Sequence, residues 1–339
     1  MDPSLMRIAL ATCSDLPAGD GDDATLVAAF QRHGARAEWV LWDRPPAEAD
    51  WPSFDGVLLR STWDYPHRAS EFAAWARTTA SQTRLINGPA MIEWNVDKTY
   101  LRSLADAGVP VIATAWLRPS DAASATAIAA AATDCGAGAT AFLKPVIGAG
   151  ALGTHRFSPD GPGCQAAAQA AASWLADHPH PADAPAFMLQ PFLDSVGSRG
   201  EVSVIFAGDP DAVHGVRKVP LPGDYRVQDD HGASDEPWPV PPDLARLAAH
   251  VRAHAERLTG TPAVYARADF LDAAPSGTPE SAADWRLVEL ELVEPSLFFR
   301  HAPGTADTLS AAVLAAVRSA PKLDSCPAAL TADDPQHAP

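Results

Sequence analysis

The stretch Phe142-Leu-Lys-Pro-Val-Ile-Gly-Ala-Gly-Ala-Leu-Gly153 decides the fold. Its first half alternates apolar residues with Lys144, as β-strands do, and its second half is a glycine loop. The next residues, Thr154-His-Arg-Phe157, predict a return strand, whereas a dinucleotide-binding fingerprint needs a helix directly after its glycines. We therefore predict a strand–loop–strand hairpin whose N–H groups fold over phosphates, with Lys144 beside them as a point charge. The simpler alternatives are a flexible hairpin and a solvent-facing lysine.

A second informative stretch is Arg286-Leu-Val-Glu-Leu-Glu-Leu-Val293. The alternation puts Glu289 and Glu291 on one face of a strand, and the preceding strand is expected to add Asp269 and Arg267 to that face. Three carboxylates on one sheet face repel one another unless a cation lies between them. Because Mg²⁺ prefers carboxylate oxygens, this pattern indicates a magnesium site. The alternative is an exposed face with water between the acids.

Cations near likely loops form a third pattern. Lys98 stands at a predicted helix start, where a cation opposes the helix dipole unless an anion lies nearby. The segment Arg217-Lys-Val-Pro-Leu-Pro-Gly-Asp-Tyr-Arg226 places three cations near a Pro/Gly turn. This segment is a candidate phosphate clamp, and an ordinary solvated loop is its alternative.

The rest of the chain frames these patterns. The first 90 residues alternate strand and helix signals, which predicts a Rossmann-like parallel sheet; the fold class is α/β, with α+β character in the C-terminal half. Val111–Trp116 is predicted as a strand, and the residues from 219 to 242 as a polar loop. We predict four segments, with their boundaries listed last: an N-terminal substrate domain, a central subdomain with the glycine loop, a C-terminal subdomain with the metal site and a disordered tail, at 1–90, 91–188, 189–325 and 326–339.

Composition excludes several classes of protein. The 339 residues include 25 Lys and Arg against 42 Asp and Glu, a net charge of −17. A chain this acidic lacks the electrostatic footprint of a nucleic-acid or membrane-surface binder. Neither a signal peptide nor a membrane-spanning run is apparent, which predicts a cytoplasmic protein. The four cysteines are far apart, so no zinc ribbon or dithiol motif is present.

In their order along the chain, these motifs resemble the ATP-grasp superfamily, near the prokaryotic glutathione synthetases, over residues 55–300. The resemblance implies binding of ATP and two Mg²⁺ ions, and a homodimer. It assigns ATP binding to Lys98, Lys144, Gly148, Gly150, Gly153, Gln190, Pro191, Phe192, Leu193 and Glu201. It assigns catalysis to Lys144, Arg217 and Arg226, and metal binding to Asp269, Glu289 and Glu291. The candidates for substrate binding are Arg60, Trp63, Asp64, Tyr65 and Arg300.

Two departures from that pattern bear on the substrate. Glu291 stands where the superfamily usually has Asn, and Ser203 stands where glutathione synthetases have Arg, which argues against glutathione substrates. The run Glu289-Leu-Glu-Leu-Val-Glu-Pro-Ser296, with Arg60-Ser-Thr-Trp-Asp-Tyr65 upstream, resembles more closely the O-ureido-serine cyclo-ligases of D-cycloserine biosynthesis.

The resemblance implies an ATP-dependent ligase that converts a small amino-acid-type carboxylate to an acyl phosphate, which an amine then attacks. In a cyclo-ligase the amine belongs to the same molecule. One alternative is a carboxylate–amine ligase for other amino acids or dipeptides. Two alternatives of other classes remain open from the sequence: an NAD-linked oxidoreductase that uses the same glycines, and a non-catalytic nucleotide-binding regulator.

Overall fold

The computed structural model describes residues 5–44, 50–211, 213–228, 231–275 and 277–319. The predicted disordered tail, 326–339, and Cys326 lie outside these residues. Within the described part, no helix is both long enough and apolar enough to cross a membrane.

The N-terminal sheet is parallel throughout, with strand order β2-β1-β3-β4. Its strands and helices are β1 Met6–Thr12, α1 Leu26–Arg32, β2 Ala35–Leu41, β3 Gly56–Ser61, α2 Ala69–Gln82 and β4 Arg84–Leu85. The parallel sheet that the strand–helix alternation predicted is thus confirmed. A short 3-10 helix, Gly21–Thr25, precedes α1 because the Asp20 side chain accepts a hydrogen bond from the Asp22 N–H.

The central sheet follows, with strand order β5-β8-β6-β7 and antiparallel pairing. This part of the chain contains α3 Gly88–Asn95, α4 Tyr100–Asp106, β5 Ala115–Leu117, α5 Pro119–Ala122, α6 Ala125–Asp134, β6 Ala141–Pro145, β7 His155–Phe157, α7 Gly161–Asp177 and β8 Phe187–Pro191. The glycine loop joins β6 to β7, so the predicted hairpin is confirmed. The NAD-binding alternative requires a helix directly after the glycines, but strand β7 follows them instead.

The C-terminal sheet is antiparallel, with order β11-β10-β9-β12-β13. Its part of the chain contains α8 Ser195–Arg199, β9 Glu201–Ala207, β10 Val213–Val219, β11 Ser234–Trp238, α9 Pro242–Thr259, β12 Tyr265–Asp272, β13 Trp285–Glu291 and α10 Thr305–Ser319. Together, the three sheets form the mixed architecture that the motifs predicted.

Three local predictions were wrong. The strand predicted over Val111–Trp116 begins only at Ala115, since Val111 makes a single bridge, to Leu287. The predicted polar loop before residue 242 contains β11, which pairs with β10 despite its two acids. The predicted boundary between residues 188 and 189 cuts through β8, so the central sheet extends past it. The division into domains itself stays a prediction.

A polar cleft lies between the C-terminal sheet and the glycine hairpin of the central sheet. Helices α6 and α7 cover the face of the central sheet that carries Leu143 and Leu189. Helix α9 covers the face of the C-terminal sheet that carries Val202 and Val204. On the opposite face of the C-terminal sheet, Ile205 belongs to an apolar core shared with α1, the N-terminal sheet and α10. The remainder of that face turns towards the glycine hairpin and carries charged side chains.

Candidate active site

One face of the C-terminal sheet concentrates carboxylates. Directly opposite residues of antiparallel strands share a face, and the register pairs Asp269 with Glu289 and Arg267 with Glu291. On its other side, Asp269 pairs with Ser203 of β9. The sequence-based prediction that Asp269, Glu289 and Glu291 share a face is therefore confirmed. We call this the carboxylate face.

Lys218 brings positive charge to the carboxylate face from β10, where it stands opposite Glu201. Its Nζ lies 2.5 Å from Glu201 Oε1 and 3.4 Å from Asp269 Oδ1. The Ser203 hydroxyl donates to Asp269 Oδ1 at 2.5 Å. A buried carboxylate is stable only when it is paired and hydrogen-bonded, and Asp269 meets both conditions.

Arg267 joins two of the predicted metal ligands. Its Nε and Nη2 each donate to the Asp269 carboxylate at 3.0 Å, and Nη2 also donates to Glu291 Oε1 at 2.5 Å. The Arg267 side chain is 10% exposed, so this contact lies in a poorly solvated place where charge pairs are strong. Arg267 therefore holds Asp269 and Glu291 at a fixed separation.

Lys98 links the carboxylate face to the glycine hairpin. Its Nζ lies 2.8 Å from Glu289 Oε1 and donates to the Gly148 carbonyl. Its main-chain N–H donates to Val146 O at 2.8 Å, so the backbone is fixed beside the end of β6. Lys144 points into the same cleft, where Glu289 and Glu201 act on its charge. The structure thus brings both predicted ATP-binding lysines to the carboxylates.

Side chains of α3 and α4 hold β13 at its outer edge. Asn95 donates to Leu290 O and accepts from Leu292 N–H, both at 2.7 Å. The Tyr100 hydroxyl donates to the same Leu290 carbonyl and accepts from the Leu290 N–H. Because β13 ends the sheet, these bonds satisfy backbone groups that would otherwise be buried without partners. They also fix the position of Lys98 relative to Glu289.

We predict that Asn95→Ala lowers the free energy of unfolding by about 1–3 kcal/mol, because the Leu292 N–H loses its partner while the Leu290 carbonyl keeps the Tyr100 hydroxyl. Glu93→Ala on the same helix removes only an exposed ion pair with Arg77 and should cost less than about 1 kcal/mol. Urea denaturation of both variants checks the difference. Equal effects would show that the Asn95 contacts do not anchor β13.

Burial and neighbouring charge move the acids in opposite directions. Burial raises the pKa of Asp269, but Arg267 more than offsets it, and the pKa falls to about 2. For Glu291, burial and the like charges of Glu289 and Asp269 outweigh Arg267 and raise the pKa to about 7. Burial, with Glu291 nearby, raises the pKa of Glu294 to about 8. Glu294 therefore binds a proton at a higher pH than an ordinary glutamate does.

The lysines are tuned differently as well. Burial lowers the pKa of Lys144, and the nearby acids only partly compensate. Burial also lowers the pKa of Lys98, but contact with Glu289 more than restores it. Lys98 is thus held by protein carboxylates, whereas the charge of Lys144 is incompletely neutralised. An incoming anion would stabilise it.

The hairpin loop requires glycine at Gly153. Its φ of +68° lies in the left-handed region, and a Cβ there would stand 2.7 Å from both Pro145 Cγ and Trp174 Cε3. The preceding Gly148 and Gly150 have open space around them or only ordinary contacts. A loop anchored at one end and open before it can fold over a bound anion.

The predicted adenine hinge, Gln190–Leu193, lies at the end of β8. Gln190 is buried and donates to Thr114 Oγ1 at 2.9 Å, which fixes the strand end. The Phe192 ring packs edge-on against Phe142 and Tyr225, with centroids 5.2 and 6.4 Å away. Pro191 and Leu193 flank these residues. The hinge thus borders an aromatic wall of the cleft.

Two predicted catalytic arginines are not brought to the carboxylates. Arg217 stands opposite Val202, on the face that α9 covers, and pairs with Glu236 at 2.6 Å. Its neighbour Lys218 points into the site instead, since adjacent strand residues face opposite ways. Arg226 is bound by Asp224, two residues away, and is 40% exposed.

The candidate substrate residues from β3 and the turn after it have structural partners. Arg60 is fully buried and pairs with Asp23 at 2.8 Å. Trp63 donates to Glu294 O at 3.0 Å, and Asp64 accepts from Trp42 and Arg68.

Tyr65 and Arg300 occupy different positions. Tyr65 is buried and its ring stacks on that of Phe72 with centroids 5.0 Å apart, and burial together with the charge of Glu294 raises its pKa. Arg300 pairs with Asp235 and with Asp22, at the rim of the cleft. Tyr65 thus packs in the aromatic core next to Phe72, and Arg300 stays at the rim.

Sequence reasoning assigned no individual role in this site to three residues: Lys218, Arg267 and Glu294. The signal for Arg267 was present, because it shares a face with Asp269. Glu294 lies past the end of β13, three residues after Glu291, and is therefore outside the alternation of Glu289 and Glu291. For Lys218 the strand alternation could not say which face is inward.

The donor set suits magnesium, because Asp269, Glu289 and Glu291 supply only carboxylate oxygens, the ligands that this hard cation prefers. In the described ranges, no three His, Cys, Asp or Glu side chains are arranged around a common metal position. The carboxylates of the three predicted ligands instead contact Lys98, Lys218 and Arg267. These residues therefore fit Mg²⁺ by chemistry and by sharing one face.

Comparison with known proteins identifies this architecture. Residues 8–87 match the family described as D-cycloserine synthetase DcsG, N-terminal domain. The cycloserine biosynthesis protein DcsG of Streptomyces lavendulae is 31% identical over 290 residues, which cover 82% of this chain and 88% of that protein. The chain belongs to the DcsG family.

Comparison with solved structures also supports membership of the DcsG family. The crystal structure of D-cycloserine synthetase DcsG matches 92% of this chain and 99% of its own, with a TM-score of 0.79 and 25% identity. The ATP-grasp ligase PsnB, complexed with minimal precursor, Mg and ADP, has a TM-score of 0.55 at 17% identity over 92% of this chain and 98% of its own. D-alanyl-alanine synthetase A of Vibrio cholerae has a TM-score of 0.62 at 12% identity over 93% and 99%.

These neighbours confirm the ATP-grasp fold. As a DcsG-family member, the chain is an ATP-dependent C–N ligase of the ATP-grasp type, and a role in antibiotic biosynthesis fits that family. The oxidoreductase and regulator alternatives are therefore wrong.

Proposed function

We propose that this DcsG-family ligase uses ATP and Mg²⁺ to phosphorylate the carboxylate of a small amino-acid-like substrate, which a nitrogen of the same molecule then attacks. The proposal rests on the two contacts of Lys98, which binds both Glu289 on the carboxylate face and the Gly148 carbonyl of the hairpin. A nucleotide held by the hairpin would have its terminal phosphate beside the carboxylates. Phosphoryl transfer requires this positioning and charge neutralisation more than a protein nucleophile.

The acidic residues would bind the metal, and the basic residues would bind the phosphates. Asp269, Glu289 and Glu291 would hold Mg²⁺, which neutralises phosphate charge when it is bound. Lys144 and Lys98 would contact the phosphates, and the hairpin glycines would close over them and exclude water from the acyl phosphate. We propose two metal ions because ATP-grasp resemblance implies two; a homodimer also stays a prediction.

The proposed substrate class follows from the family to which the chain belongs. The relatives are named for cycloserine synthesis, so we propose O-ureido-D-serine as the substrate. Ring closure releases phosphate, and hydrolytic loss of the carbamoyl group as CO2 and NH3 then gives D-cycloserine. The buried Tyr65 and Glu294 would line the substrate pocket beside the carboxylate face.

The test is ADP release from Mg²⁺-ATP with O-ureido-D-serine, and mass spectrometry of the products. We expect ADP and a cyclised product from the wild-type protein. Lys218→Met should reduce both by about 10²–10³-fold, because it removes a cation from the site. Arg217→Met is the matched control, as it changes the next residue on the opposite face, and should stay within a few-fold of wild type.

Two outcomes would contradict the proposal. ADP release without a cyclised product would leave the ligase and refute the cyclisation, and a screen of amino-acid pairs would then identify the amine acceptor. Loss of activity in Arg217→Met equal to that in Lys218→Met would refute the assignment of the reaction to the carboxylate face.

A further inference from the structure

A histidine–aspartate pair extends the carboxylate face at its outer strand. His301 ends the 3-10 helix Phe299–His301, and its Nε2 hydrogen-bonds to the Asp235 carboxylate of β11. The β10–β11 register sets Asp235 opposite Lys218, so the Asp235 carboxylate shares the face that carries the site. The pair is partly shielded: the side chains of His301 and Asp235 are 18% and 9% exposed.

The segment that carries His301 is fixed from two sides. Arg300 donates to Asp235, and the N–H groups of Phe299 and Arg300 donate to Asp22 at 2.7 and 3.0 Å. Asp22 belongs to the 3-10 helix before α1, in the N-terminal part of the chain. The imidazole therefore stands where this part meets the carboxylate face, with its orientation set by the surrounding contacts.

The bond to Asp235 also decides which ring nitrogen is basic. A carboxylate accepts a hydrogen bond, so it favours the His301 tautomer with its proton on Nε2. The lone pair then lies on Nδ1, and Nδ1 makes no hydrogen bond with any described residue. Burial raises the pKa of Asp235, but the contacts with Arg300 and His301 more than offset this and lower it, so Asp235 stays ionised.

The other charged and titratable groups near His301 are less able to accept a proton from a substrate. The charged and titratable groups around His301 are Asp235 of β11, Arg300 of its own helix, Asp22 of the N-terminal 3-10 helix and His214 of β10. The two acids accept hydrogen bonds from Arg300. His214 Nε2 hydrogen-bonds to Leu297 O at 2.8 Å, and burial lowers its pKa.

We propose that His301, positioned by Asp235, is the general base for the second half of the reaction. This proposal rests on the proposed function. As the substrate nitrogen forms its bond to the acyl carbon, its N–H proton passes to His301 Nδ1. The carbon–oxygen bond to the phosphate breaks and inorganic phosphate leaves, after which imidazolium returns the proton to water. Formation of the acyl phosphate does not require this proton transfer.

A hydroxylamine trap separates the two halves. Hydroxylamine is a strong, weakly basic nucleophile that intercepts an acyl phosphate as a hydroxamate without help from a base. With O-ureido-D-serine and Mg²⁺-ATP, we expect His301→Asn to lower cyclised product by about 10²–10⁴-fold, the usual contribution of a general base. Hydroxamate formation should stay within a few-fold of wild type.

Asp235→Asn tests the positioning role. It should lower the cyclised product while preserving the hydroxamate. Asp235→Glu, which keeps a carboxylate beside the imidazole, should restore part of the cyclisation, and a failure of this rescue would contradict positioning by the carboxylate. His250→Asn is the control, since His250 is exposed on α9, which packs on the other face.

The outcomes are distinct. Unchanged cyclisation in His301→Asn, or equal loss of cyclised product and hydroxamate, would overturn the proposal for His301. Absence of both ADP and hydroxamate in the wild-type protein would instead overturn the proposed function, and the proposal for His301 with it.

Discussion

Asp269→Asn is expected to lower the free energy of unfolding by about 3–5 kcal/mol, because it leaves two buried cations without their shared partner. Arg267 and Lys218 both contact Asp269, and Ser203 donates to it. The asparagine side chain keeps the shape but loses the charge. Urea denaturation at neutral pH measures the loss.

The same carboxylate predicts a pH dependence. Its pKa falls from an ordinary value of 3.8 to about 2 in the folded protein. A depressed pKa contributes stability above the unfolded value, and that contribution is lost as pH falls through the folded value. The gap in stability between wild type and Asp269→Asn should therefore narrow between pH 4 and pH 2. The control Asp284→Asn removes an exposed pair with Arg286 and should cost at most about 1 kcal/mol. A gap that stays constant over this pH range would refute the charge argument.

Glu289→Gln is expected to reduce ADP release by about 10²–10³-fold while the protein stays folded. The change removes one of three carboxylates proposed to hold Mg²⁺ and also releases Lys98 from its contact. The Glu289 side chain is 28% exposed, so its loss costs less stability than that of Asp269. The rate of ADP release, measured over a range of Mg²⁺ concentrations, should show a raised metal requirement.

Glu236→Gln is the matched control for this prediction. Glu236 lies on the edge strand β11, points to the other face and pairs with Arg217. Its removal should leave ADP release within a few-fold of wild type. Comparable rates in the two glutamine variants would show that the carboxylate face is not the site of phosphoryl transfer.

Local patterns predicted the parts of this site that depend on alternation. The spacing of Glu289 and Glu291, and the expected neighbour with Asp269, correctly predicted a shared face, because strand periodicity is fixed by the backbone. The hairpin was predicted from Lys144 and the glycines for a similar reason. Lys98 was found from its unfavourable position at a helix start.

Other parts depend on contacts that the sequence does not display. Arg217 and Lys218 are adjacent cations, and only packing of α9 on one face decides which of them reaches the acids. Arg60 was a candidate substrate ligand because of the family resemblance, but its charge is matched by Asp23 from another part of the chain. Strand β11 was missed because it carries acids and a proline, which weaken the strand signal.

The position of α10 has a consequence for how the protein is made. Leu309, Val313 and Leu314 of this helix share one apolar core with Ile8, Leu10 and Leu26 from the start of the chain. A ribosome releases the first sheet long before it synthesises the helix that covers that core. During that interval the nascent chain exposes an apolar surface, which favours chaperone binding and makes early termination a route to aggregation. The late helix thus delays completion of the earliest part of the fold.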